Sequence, residues 1–148
     1  MKASIEFKKV EEMLYNYKNL FAEIRILKSD LEILENDYKG VGAINYYENT
    51  SKTNKFNSKV ENEVIEREEK IERLKGKIRF KELQIRKIDI ALEALNDDER
   101  YLIEEYYMNR KQLKFISSEI GLAESYASTY KASLINKIVN IIFLKEYS

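Results

Sequence analysis

The hydrophobic positions in the first quarter of the chain fall on a seven-residue repeat. Val10, Tyr17, Ile24, Leu31 and Tyr38 form one row, and Met13, Leu20, Leu27 and Leu34 form a second row three places later. Alternating spacings of three and four put a continuous apolar stripe on a helix, the geometry of a coiled-coil seam. The pattern predicts a helix from about Ser4 to Lys39, ended by Gly40, which can adopt the left-handed conformation that closes a helix. The polar stretch "VGAINYYENTSKTNKFN" has no sustained period and predicts a loop over about 40–58. Ser58 and Glu61 then have the spacing of a capping box, in which each side chain satisfies an unpaired backbone N–H. Beyond them, Val64, Ile71, Ile78, Ile85 and Leu92 form one row of a second helix. Val60, Leu74, Ile88 and Leu95 form the other, interrupted by Arg67 and Lys81. Gly76 lies inside this helix, where it costs about 1 kcal/mol relative to alanine.

Two matched seams joined by one loop predict a long antiparallel coiled-coil helical hairpin over residues 1–95. The alternative is a seam that pairs between chains, which would make a homodimer through the coiled coil. After Leu95 the heptads stop, and residues 96–148 form a second predicted domain. Asn96 can cap a helix, with Glu99 in the reciprocal position. Asp97, Asp98 and Glu99 suit the positive end of a helix dipole.

Within "FISSEIGLAESYASTY", Gly121 is placed to turn the chain between two short helices. Ile116 and Ile120 precede it on an inner face, and Ser117 is small where the second helix must approach. Leu122, Ala127, Tyr130, Leu134 and Ile138 continue the inward stripe. The predicted fold class is therefore all-α: a long hairpin followed by a C-terminal helix-turn-helix domain. The outward positions of the second helix are Glu124, Ser125, Ser128, Thr129 and Ala132, the surface that meets base edges in such a domain.

Composition narrows the chemistry. The 148 residues contain no cysteine, histidine, tryptophan or proline, which removes the usual zinc ligands and thiol or imidazole catalysis. There is no phosphate-binding glycine loop, nucleotide fingerprint or metal-spaced ligand set. No catalytic residue, metal or cofactor is expected, and the chain does not read as an enzyme. No apolar run approaches the roughly 20 residues that span a bilayer. The N-terminus lacks the apolar core of a signal peptide. The expected location is the cytoplasm, with no membrane partner. Lysine plus arginine and aspartate plus glutamate both number 26, so any case for nucleic acid must be local. From Asn109 to Lys145, Arg110, Lys111, Lys114, Lys131, Lys137 and Lys145 oppose only Glu119 and Glu124, a net of +4. Local positive charge is what phosphate binding requires. Arg110, Lys111, Lys114, Lys131 and Lys137 are the candidate phosphate contacts, joined by Tyr126, which suits a phosphate or a thymine methyl.

The stretch "ALNDDERYLIEEYYMNRKQLKFISSEIGLAESYASTYKASLINKI" resembles region 4 of sigma-70-type bacterial RNA polymerase sigma factors. The residues that carry the resemblance are Leu95, Glu99, Arg100, Ile103, Tyr106 and Tyr107, then Ile116, Gly121 and Leu122. A coiled-coil hairpin ahead of such a module is similar to phage and prophage regulators of the ArpU and RinA type. The resemblance implies a DNA-binding transcriptional regulator whose C-terminal module contacts double-stranded DNA, RNA polymerase, or both. Sigma region 4 usually carries arginines at several groove-facing positions. Here those positions fall on Glu124, Ser125, Ser128 and Thr129, none of them cationic, leaving hydroxyls to hydrogen-bond bases or phosphates.

Two readings stay open for a basic stretch on the second long helix. Arg73, Lys75, Lys77, Arg79, Lys81, Arg86 and Lys87, opposed only by Glu82, give +6. They either pair with carboxylates of the first helix, such as Glu23, Glu32 and Glu35, or form a patch for DNA backbone or an acidic polymerase surface. The competing reading of the whole chain is a coiled-coil interaction or assembly protein, such as a phage packaging or scaffold component, whose C-terminal helices only pack.

Overall fold

The computed structural model describes residues 4–48 and 54–144, with side chains described for 4–37 and 58–144. It is all-helical, with no strand among the described residues. Helix α1 spans Ile5–Tyr15 and begins where the Ser4 hydroxyl accepts from the backbone N–H of Phe7 at 3.1 Å. Asn16 interrupts it with φ −91° and ψ 0°. The Leu20 N–H reaches the Asn16 carbonyl at 2.9 Å, so the ladder resumes at once in α2, Tyr17–Glu48. Helix α3 spans Asn54–Glu93.

These bounds correct the expected loop over 40–58. Helix α2 continues through Gly40 and Gly42 to Glu48, and α3 begins four residues before Ser58, so neither Gly40 nor the Ser58–Glu61 pair marks a helix end. The physical reason is the weakness of the expected breakers. A glycine costs a helix about 1 kcal/mol, whereas proline, which removes a hydrogen bond and clashes with the preceding turn, is absent from the chain. What remains of the expected loop, residues 49–53, lies outside the described residues.

Helix α4, Asp97–Ile103, is entered through a complete capping box. The Asn96 side chain accepts from the Glu99 N–H, and the Glu99 carboxylate accepts from the Asn96 N–H, both at 2.9 Å. The helix then widens into a π-helical turn over Glu104–Met108, marked by the Asn109 N–H reaching the Glu104 carbonyl at 3.1 Å. Helix α5 spans Leu113–Glu119 and α6 spans Glu124–Phe143.

The chain divides into two compact units, one of residues 1–20 and 83–148, the other of residues 21–82. This grouping differs from a division at residue 95, because α1 packs on α6 and on the π-helical turn. The core of the first unit includes Val10, Leu14, Ile88, Leu92, Leu102, Ile103, Tyr107, Ile116, Ile135 and Ile138. Leu14 lies outside the two heptad rows, yet it is fully buried, while Met13 in the row is only half-buried. A helix covered on two sides buries more than one stripe.

In the second unit, α2 and α3 pair through Glu23 with Lys81 at 2.7 Å, Lys28 with Glu82 at 3.2 Å and Glu35 with Lys75 at 4.0 Å. Advancing from Glu23 to Glu35 on α2 is retreating from Lys81 to Lys75 on α3, so the two helices run antiparallel. Among the described residues, their facing side chains Leu27, Leu31, Leu34, Val64, Ile71 and Leu74 are half-buried, and only Ile24 and Ile78 are buried. Among the described residues no helix is long and apolar enough to cross a membrane.

Candidate nucleic-acid interface

The local sequence around Gly121 dictates a turn. Gly121 has φ +73°, a conformation that suits glycine because a side chain there crowds the backbone. The Leu122 N–H returns to the Ser117 carbonyl at 2.8 Å and the Gly121 N–H to that of Ser118 at 3.4 Å, closing α5 before α6 begins. Ser117 is 3% exposed and its hydroxyl donates to the Lys114 carbonyl at 2.9 Å, so this small residue is buried without an orphaned polar group. Ile116, Ala127, Leu134 and Ile138 are buried, and Ile120, Leu122 and Tyr130 are half-buried.

The opposite face of α6 is open. Glu124, Ser125, Ser128 and Thr129 are exposed, while Ala132 is half-buried. Thr129 donates its hydroxyl to the Ser125 carbonyl at 3.3 Å. Tyr126 is 58% exposed and stacks on Tyr130 with ring centroids 6.0 Å apart, and Phe115 on α5 is also exposed.

The cations are divided among different roles. Arg110, Lys111, Lys114 and Glu124 share one open depression of about 500 Å³ with Tyr15 and Tyr106. Lys114 and Arg110 are exposed, and the Arg110 guanidinium lies 4.5 Å from the centroid of the Tyr15 ring. Lys111 pairs with Glu119, which also accepts from the Tyr101 hydroxyl. Hydrogen bonding from Lys111 and Tyr101 holds the Glu119 carboxyl below the usual range. Lys131 is half-buried, with its ammonium 3.8 Å from the centroid of the Tyr106 ring, and it lowers the Tyr106 phenol from its ordinary value. Lys137 sits outside the depression and lies 3.7 Å from Glu99. Four of the five candidate phosphate cations, all but Lys114, are therefore already engaged by carboxylates or an aromatic ring.

On α3, Lys75 and Lys81 meet Glu35 and Glu23. Arg73, Lys77, Arg79, Arg86 and Lys87 are exposed, and no ion pair reaches them among the described residues.

The tyrosines beneath the depression are structural. Tyr107 is fully buried and donates to the Glu11 carboxylate at 2.8 Å. Burial, with that hydrogen bond, pushes its phenol up. Tyr15 stands edge-on to Tyr107 at 4.8 Å, and burial raises it to about 12. Heptad counting assigned Tyr15 to no row and gave it no place beside Arg110. The available signal was the doubling of apolar positions at Met13–Leu14, which widens the stripe on α1 beyond one seam. No family model, curated protein or solved structure matches the chain.

Proposed function

We propose that the protein is a DNA-binding transcriptional regulator of the phage type, in which α5, the Gly121 turn and α6 act as a helix-turn-helix of the sigma region-4 kind. One observation carries this reading. The turn at Gly121 leaves Ser125, Tyr126, Ser128 and Thr129 exposed on α6, while Ala127, Leu134 and Ile138 hold the other face in the core. An exposed polar helix face beside Arg110 and Lys114 suits a duplex, with the cations on phosphates and the hydroxyls at base edges. The paired helices α2 and α3 serve as a coiled-coil hairpin for oligomerisation or partner docking, with RNA polymerase a partner on this reading.

The engaged cations favour a second reading, a coiled-coil assembly protein whose C-terminal helices only pack. Arg110, Lys111, Lys131 and Lys137 already have partners within the chain. Fluorescence anisotropy with labelled duplexes over a salt series separates the two, beside a pull-down with purified polymerase. The regulator binds duplex with an affinity that falls as salt rises, by about 0.9 in the log–log slope per phosphate neutralised. Binding to neither duplex nor polymerase leaves the assembly reading.

A further inference from the structure

The residue 21–82 unit has a thin core. An antiparallel pair of helices has no third layer, and its seam leaves Leu27, Leu31, Leu34, Ile71 and Leu74 partly open to water. Besides Phe21 and Ile65, the same unit exposes three large apolar side chains most openly: Ile26 at 62%, Ile33 at 60% and Phe80 at 62%. These fall on one side of the pair, where Ile26, Leu27, Gly76, Lys77 and Phe80 line an open apolar groove of about 580 Å³.

Over the level from Glu23 to Asp37 the charges on that side are sorted by helix, whereas beyond it Glu66 and Glu63 continue the α3 face with carboxylates. On α2, Glu23, Ile26, Asp30, Ile33 and Asp37 recur at spacings of three and four, so they share one face, and its charges are all negative. On α3, Arg73, Lys77 and Phe80 recur at spacings of four and three, and those charges are positive. All of these residues are exposed. No ion pair reaches Asp30, Asp37, Arg73 or Lys77 among the described residues.

We infer that this groove is the dimer interface of the protein, occupied by the same groove of a second copy in an antiparallel four-helix bundle. An interface between identical copies is self-complementary under a two-fold axis. With the axis across the helices, α2 would face α2 and carboxylates would oppose carboxylates. With the axis along the helices, each acidic α2 face meets the partner's basic α3 face, and like charges separate. The Glu23–Lys81 and Glu35–Lys75 pairs fix the level of α2 against α3. Carried to the second copy, that level sets Ile26 against the partner's Phe80 and Asp30 against the partner's Lys77. Ile33 meets the partner's Gly76, and Asp37 the partner's Arg73. A Cβ built at Gly76 would meet nothing within 4 Å, so there is space to receive Ile33. The inference does not rest on DNA binding, since it concerns only the 21–82 unit.

Light scattering across a concentration series tests it on the full chain, with circular dichroism confirming helicity. The wild type is expected at twice the 17.6 kDa chain mass. Asp30→Lys and Lys77→Asp are each expected to raise the dissociation constant about tenfold or more, because like charges then meet. The double exchange restores the dimer. The chain has no cysteine, so introduced thiols are unambiguous. A mixture of Asp30→Cys and Lys77→Cys chains forms a mixed disulfide, whereas either alone does not cross-link. A monomeric wild type, a double exchange without recovery, or cross-linking of Asp30→Cys to itself each overturns the inference.

Discussion

Tyr107 is the side chain on which the first unit turns. Its ring is fully buried where α1 packs on the π-helical turn, and its hydroxyl donates to Glu11. A hydrogen bond to a charged acceptor contributes about 1.5–3 kcal/mol, and Glu11 is half-buried, so water can replace part of it. Tyr107→Phe is expected to cost about 1–2 kcal/mol and Tyr107→Ala about 3–5, both read from urea unfolding midpoints. Tyr17 makes a pH prediction. Burial, then the 2.6 Å hydrogen bond to Asp89, raises its phenol from 10.0 to about 12. The folded state holds this proton more tightly than the unfolded chain does. The stabilisation is therefore complete below the unfolded value of 10.0 and is lost as pH rises through about 12. Tyr17→Phe should lower stability at neutral pH and show a shallower loss across that alkaline window. Parallel curves for the two proteins would remove Tyr17 as the cause.

Among the elements, α4 and the α5–α6 turn each depend on one residue. The Asn96–Glu99 box satisfies N–H groups that no helical carbonyl can reach. Asn96→Ala should cost about 1 kcal/mol, seen as a lower thermal midpoint with little loss of helicity. At Gly121, an added Cβ meets no atom within 4 Å. The penalty of Gly121→Ala is therefore backbone strain from φ +73° alone, about 1–2 kcal/mol. Gly121→Asn should cost less, since asparagine tolerates this conformation better. If asparagine costs as much as alanine, the left-handed φ is not what governs the turn. At the same scale, the glycines of α2 show the converse. Gly40 and Gly42 lie within α2, as a glycine's cost of about 1 kcal/mol in a helix interior allows.

For the molecule as a whole, the question is whether positive charge reaches a duplex. Arg79, Arg86 and Lys87 are exposed on α3 with no ion pair among the described residues. On the regulator reading, replacing all three with glutamine lowers duplex affinity and flattens the slope of log affinity against log salt. The slope shrinks by about 0.9 for each phosphate that the variant no longer neutralises. An unchanged slope removes this patch from the interface while leaving the α6 face to be tested separately. The hydrophobic periods determined that the chain is helical, and the Asn96–Glu99 spacing determined where α4 starts. These are consequences of local geometry and of side chains within four residues of one another. Which stripe of α1 is buried, and that residues 1–20 join the C-terminal helices, came only with the tertiary packing. So did the engagement of Lys111, Lys131 and Lys137. Those interactions link residues far apart in sequence, or cations with rings and carboxylates on other turns. No periodicity encodes which of several equivalent partners a flexible side chain will meet.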